Sequence, residues 1–211
     1  MKKILLLLSV ITLFSCSSDD DSNSEQKAKK YVDVVTVESS GETSTINLTY
    51  NNAKEIISYS RTGTNLAFKY EQGTLISITD TDMDFVAYQF GYNDGTLSSV
   101  KHYDSTYPVI YNTADASYTF EGGNLKIGVT DRDIAFVNES GNTQKFGYSN
   151  DNKGPMYNIS TNNAFLIPLF SENVHILLTS MPTTQVKINN SGTEKTYNAT
   201  HTFDEEGYVT S

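Results

Sequence analysis

Two nine-residue stretches, "YEQGTLISI" at 70–78 and "YNDGTLSSV" at 92–100, align without a gap at an offset of 22 residues. A looser copy, "FEGGNLKIG", follows at 120–128. In each, an aromatic residue comes first, a glycine falls three positions later and a leucine two beyond that. A chain built on such a unit has few folds open to it. Asp94-Gly95 and Gly122-Gly123 suit the positive φ angles of the tight turns that match strand twist, so each unit predicts the end of one strand, a turn and the start of the next. The closing stretch, "TFDEEGYVTS" at 202–211, is a longer relative with Phe203 and Gly207 four apart, and its Asp204-Glu205-Glu206 run predicts another turn.

The composition agrees with strands. Fourteen tyrosines, ten phenylalanines and many threonines fit a pleated, half-buried surface. Over 85–92 the residues Val86, Tyr88, Phe90 and Tyr92 alternate and are expected on one face. Segments 31–38, 45–50, 55–60 and 66–70 are shorter versions of the same pattern, and helical periodicity is almost absent. The exception is the apolar run 163–170, where Phe165 and Leu169, then Leu166 and Phe170, are four apart. It predicts a short helix near 163–172 that packs into the core or forms an apolar lid, with Pro168 confined to the first turn. The expected fold is therefore all-β: one mainly antiparallel meander of ten or more strands, forming a wrapped sheet or an open barrel. About 180 residues from Tyr31 onward are enough for a single domain over 31–211.

The amino-terminal segment reads differently. Lys2 and Lys3 precede an apolar run at 4–14, then Ser15 and the sole cysteine, Cys16. A run of eleven residues falls short of the roughly 20 that a membrane-crossing helix needs, so residues 1–15 read as an export signal that is removed. Residues 17–30 carry no aromatic or branched apolar side chain and cannot offset the entropy of folding, so 16–30 reads as a flexible acidic tether. Such a tether spans about 50 Å fully stretched and roughly 20 Å as a coil. The formal charge is −10, and it becomes −12 once Lys2 and Lys3 leave with the signal. That balance argues against nucleic acid as a partner, since binding there depends on lysine and arginine neutralising phosphates.

Leu13-Phe14-Ser15-Cys16 resembles a bacterial lipobox, in which the cysteine thiol takes a diacylglyceryl group and becomes the first residue of the mature chain. Phe14 departs from the small or β-branched residue usual at its position. Several acyl chains on one cysteine hold a protein firmly to a membrane, and with Cys16 acylated no thiol remains for a disulfide, a zinc site or a nucleophile. The following Ser17-Ser18-Asp19-Asp20-Asp21-Ser22-Asn23 resembles the acidic surface-export signal of Bacteroidetes lipoproteins. The hairpin units resemble the YD-type "Y-x-Y-D-x-x-G-x-L-x-x-I" repeats of uncharacterised Bacteroidetes lipoproteins over most of 55–211. These resemblances imply a lipid-anchored outer-membrane protein facing outward, and bring no active site with them.

Candidate chemistry is sparse. His102 and Asp104 share one face of an extended strand and Ser105 the other, so a Ser-His-Asp set would need a second serine from elsewhere in the fold. His175 and His201 have no metal-spaced companion, and no cofactor is expected. Asp80, Asp82 and Asp84 have ligand-like spacing for calcium, but Phe85 stands where a calcium-hand loop needs glycine and Gly91 where it needs glutamate. A hairpin tip explains the three aspartates as well. Tyr88, Phe90, Tyr92, Tyr103, Tyr107, Tyr111, Tyr118 and Phe120 suit a sugar-stacking surface or packing across a sheet, and the chain has no tryptophan. Asp104-Ser105-Thr106 resembles the triplet O-glycosylated in some Bacteroidetes exported proteins, which makes Ser105 a glycosylation candidate. The expected function is a non-enzymatic surface module that binds a partner, an envelope protein or a surface glycan, or serves as an accessory of an envelope complex. The alternative is an extracellular hydrolase acting on glycan or peptide, with Asp80 or Asp131 paired to a distant acid.

Overall fold

The computed structural model describes residues 29–39, 42–120, 123–130, 132–159, 161–171 and 177–211. Among these residues the fold is all-β, with two antiparallel sheets and one short helix. The first sheet is an eight-stranded meander: β1 (Val34–Ser39), β2 (Glu42–Tyr50), β3 (Ile56–Arg61), β4 (Thr64–Glu71), β5 (Thr74–Asp80), β6 (Phe85–Asn93), β7 (Thr96–His102) and β8 (Ser105–Pro108). The second has seven strands: β9 (Ile110–Asn112), β10 (Ser117–Phe120), β11 (Leu125–Thr130), β12 (Asp133–Glu139), β13 (Asn142–Tyr148), β14 (Thr183–Asn190) and β15 (Thr193–Asn198). Helix α1 (Leu166–Phe170) lies between β13 and β14 in the chain. Neither sheet closes on itself, so the expected single curled meander is in fact two.

The break has a local cause. Residues 105–112 form one extended run that changes partner midway: Ser105 to Pro108 pair with β7, and Ile110 to Asn112 pair with β10. Pro108 has no N–H to donate. Val109, buried at the switch, still donates its N–H to Ser98 O at 2.8 Å.

The repeated unit forms the hairpins its glycines predict. Gln72-Gly73, Asp94-Gly95, Ser140-Gly141 and Ser191-Gly192 each place two consecutive residues at φ between 48° and 87°. These are the two-residue turns whose twist matches that of the strands they join. In the looser copy Gly123 has φ 105°, and Gly122 lies outside the described residues. The closing stretch folds into a turn too, with Gly207 N–H donating to Asp204 O and Phe203 bridging Val209.

The unit also contains a bulge. Leu75 and Ile78 are three apart, as are Leu97 and Val100, yet all four are buried. Strict alternation would put the members of each pair on opposite faces. One extra residue, Ile76 or Ser98, is inserted opposite β4 or β6 and returns the next apolar side chain to the core. The same insertion occurs at Ile57 and Thr184. A tyrosine stands opposite each bulge: Tyr50, Tyr70, Tyr92 and Tyr148. Each turns its hydroxyl inward and donates to an earlier backbone carbonyl, Val32, Ile56, Leu75 and Ile134 respectively, at 2.6–2.7 Å. A bulge also corrects the expectation for 85–92. Ala87 is the extra residue opposite β5, so Ala87 is buried and Val86 is 42% exposed.

Helix α1 joins the two sheets. Leu166 and Ile167 are fully buried, and Pro168 sits in the first turn, where its missing N–H costs little. Phe170 packs on Tyr88 and Phe90 of the first sheet at 4.6 and 5.4 Å, while Phe165 stacks on Tyr118 of the second at 5.3 Å. A contiguous apolar cluster runs from Val35 to Val186 through both sheets. The apolar run is thus core, not a lid.

Candidate functional site

A groove of ≈ 560 Å³ opens where β9–β11 meet the loop that precedes α1. Its size falls within the range of small-ligand sites. The loop is held on the far side by the first sheet, since Asn162 N–H donates to Gly73 O at 2.9 Å and Asn162 bridges Thr74. The hairpin turn of one sheet thus helps to hold the loop that walls the groove beside strands of the other.

Its walls combine rings, amides and one guanidinium. Tyr111 on β9 is 39% exposed and offers a ring face, while Tyr118 on β10 is only 7% exposed and backs it, centroids 4.7 Å apart. Burial raises the Tyr118 phenol, with Tyr111 adding to the shift, so it stays neutral at physiological pH. Asn162 is exposed and Asn163 half-buried. Asn163 has φ 54°, a left-handed conformation that asparagine tolerates better than most side chains.

Arg132 lies between β11 and β12 and lines the same groove. Its Nη1 donates to Tyr157 O at 3.1 Å, while Nη2 is shielded from water and has no hydrogen-bond partner among the described residues. Burial lowers its pKa and neighbouring Asp133 raises it. Arginine keeps its charge throughout. The Asp133 carboxyl is raised by burial, an effect only partly offset by Ser180, Met181 and Arg132. Among the described lining residues there is no carboxylate and no histidine.

Among the described residues, Tyr111 and Tyr118 of the sequence-predicted candidates line the groove, and the others lie elsewhere. Asp80 spends its carboxylate on the backbone N–H groups of Asp82 and Met83, and Asp82 accepts from Asn65 Nδ2 at 2.8 Å. Among the described residues no three His, Cys, Asp or Glu side chains gather as a metal site would require. His102 stacks between Tyr88 and Tyr103, with Asp104 in the turn beyond it and Ser105 exposed at the start of β8. His201 Nε2 sits 2.7 Å from Thr183 O. Cys16, Asp131 and His175 lie outside the described residues. The eight aromatics do not share one surface: Phe90, Tyr118 and Phe120 are core, Tyr92 belongs to the bulge series, and of the eight Tyr111 and Tyr118 line the groove, Tyr111 with the more exposed ring. Arg132 and Asn162 belong to no motif: Arg132 follows Tyr111 by 21 positions and Tyr118 by 14, and Asn162 comes 30 positions after Arg132.

The fold and groove define an all-β double meander with a ligand-sized recess between its second sheet and the loop that precedes α1. Among solved structures, a porin-like protein from Bacteroides uniformis ATCC 8492 is similar over 83% of this chain and 82% of its own, with 16% sequence identity and a TM-score of 0.48. No protein-family model matches the sequence, and no curated protein does.

Proposed function

We propose that this chain is a surface-exposed outer-membrane lipoprotein, anchored through Cys16 and tethered by residues 16–30, whose β-sheet domain over 31–211 binds a ligand without transforming it. One observation carries the binding role: the described walls of the groove supply a ring face, two amides and a guanidinium. The alternative, hydrolysis of a glycan, would generally need two carboxyl groups roughly 5–10 Å apart across the scissile bond, with Asp80 or Asp131 as one of them. The place in the cell rests on Leu13-Phe14-Ser15-Cys16 and the acidic serine-rich stretch behind it. The partner is an envelope protein or a surface glycan, and exposed Ser105 is a candidate for O-glycosylation.

Two measurements test this function. In the native host, Cys16→Ala should move the full-length chain from the membrane to the soluble fraction, and protease added to intact cells should digest the wild-type protein. Unchanged membrane retention would remove the lipid anchor, and protection from protease would remove surface exposure. Turnover of a glycan or peptide substrate by the purified chain would replace the binding role with catalysis.

A further inference from the structure

We infer that the groove takes a neutral oligosaccharide, with one sugar ring stacked on Tyr111 and its hydroxyls engaged by Asn162, Asn163 and Arg132. This rests on the binding role proposed above and names its ligand class. A sugar ring has an apolar C–H face and a rim of hydroxyls that both donate and accept. The groove presents the complementary set: a ring 39% exposed and held from behind by Tyr118 at 4.7 Å, beside amides that also donate and accept. Tyr118 is itself stacked on Phe165 at 5.3 Å, so the ring behind the platform belongs to the core. Among the described residues the shielded Arg132 Nη2 has no acceptor, and a ligand oxygen entering the groove would supply one once the side chain shifts toward it.

Other occupants fit less well. A peptide adding as a strand would need the free edge of β9, which is three residues long and follows directly on Pro108 and Val109. An acidic ligand would approach a chain whose formal charge is −10. Neutral sugar avoids both difficulties.

The test uses the full-length chain, purified in detergent, against immobilised neutral polysaccharides (glucans, mannans and xylans) and, in parallel, polyuronates. Retention on at least one neutral polysaccharide is expected, with Tyr111→Phe binding like wild type and Tyr111→Ala weakened about tenfold, equivalent to about 1.4 kcal/mol. Asn162→Ala should also weaken binding, and it spares the fold because the backbone N–H of that residue, not its side chain, holds the loop to Gly73. Failure to bind any neutral polysaccharide, preference for polyuronates, or indifference to both substitutions would overturn the sugar assignment. If the chain instead retains an envelope protein through Tyr111, even after periodate destroys the sugars on it, the binding role survives and the ligand class does not. If it retains neither polysaccharide nor envelope protein, both are lost.

Discussion

The carboxylate of Asp133, the first residue of β12, accepts three hydrogen bonds, from Ser180 N–H and Ser180 Oγ at 2.7 Å and from Met181 N–H at 3.0 Å. It ties the chain entering β14 to the strand beside the groove. Removing it leaves two backbone N–H groups in a mostly buried setting without acceptors, at about 1–3 kcal/mol each. Asp133→Ala is therefore expected to cost about 2–4 kcal/mol, read as a lower denaturant midpoint at unchanged m. Next to it, a Cβ on Gly154 would lie 2.4 Å from Thr179 O, a backbone atom that cannot swing aside. Neither requirement is visible in the sequence, because an aspartate after a strand and a glycine in a loop each have many ordinary explanations.

At the scale of the element, the hairpin unit was legible and its bulge was not. Glycine at a tight turn acts through its own backbone, so "DG" and "QG" carry the information locally. A bulge depends on the partner strand as well. The spacing of three in "LISI" and "LSSV" was nevertheless its signature, as it is in Ile56 to Tyr59, where both ends are fully buried. The tyrosines opposite these bulges yield a pH prediction. Burial raises Tyr50, Tyr70, Tyr92 and Tyr148 well above their ordinary value of 10.0. The folded protein thus keeps protons that the unfolded chain releases, so their contribution is complete below pH 10 and is lost as pH rises toward the folded values. The denaturant midpoint should accordingly fall steeply above about pH 10, together with the appearance of phenolate absorbance. Tyr92→Phe should soften that fall by about one proton and, by deleting the bond to Leu75 O, cost about 1 kcal/mol at neutral pH.

For the whole molecule, stability should reside in the helix between the sheets rather than in the ionic clasp between the ends of the described chain. Lys30 pairs with Asp204 at 2.7 Å and also with Glu206, and Asn158 Nδ2 donates to both Lys30 O and Tyr208 OH. The Lys30 and Asp204 side chains keep 30% and 26% of their exposure, so water and salt weaken the pair. Lys30→Ala should cost less than about 1 kcal/mol, and less still at high salt. Leu166→Ala, at a fully buried position in α1, should cost about 2–5 kcal/mol. Equal losses in chemical denaturation would contradict that division. Strand content, turn positions and the short helix followed from the order of residues alone, because backbone preference and side-chain periodicity act over a few neighbours. The switch of sheets at Pro108, the bulges that readdress Ala87 and Ile78, and the meeting of Tyr111, Arg132 and Asn162 arose only on folding. Each depends on which distant segment lies alongside, and no stretch of sequence holds that information by itself.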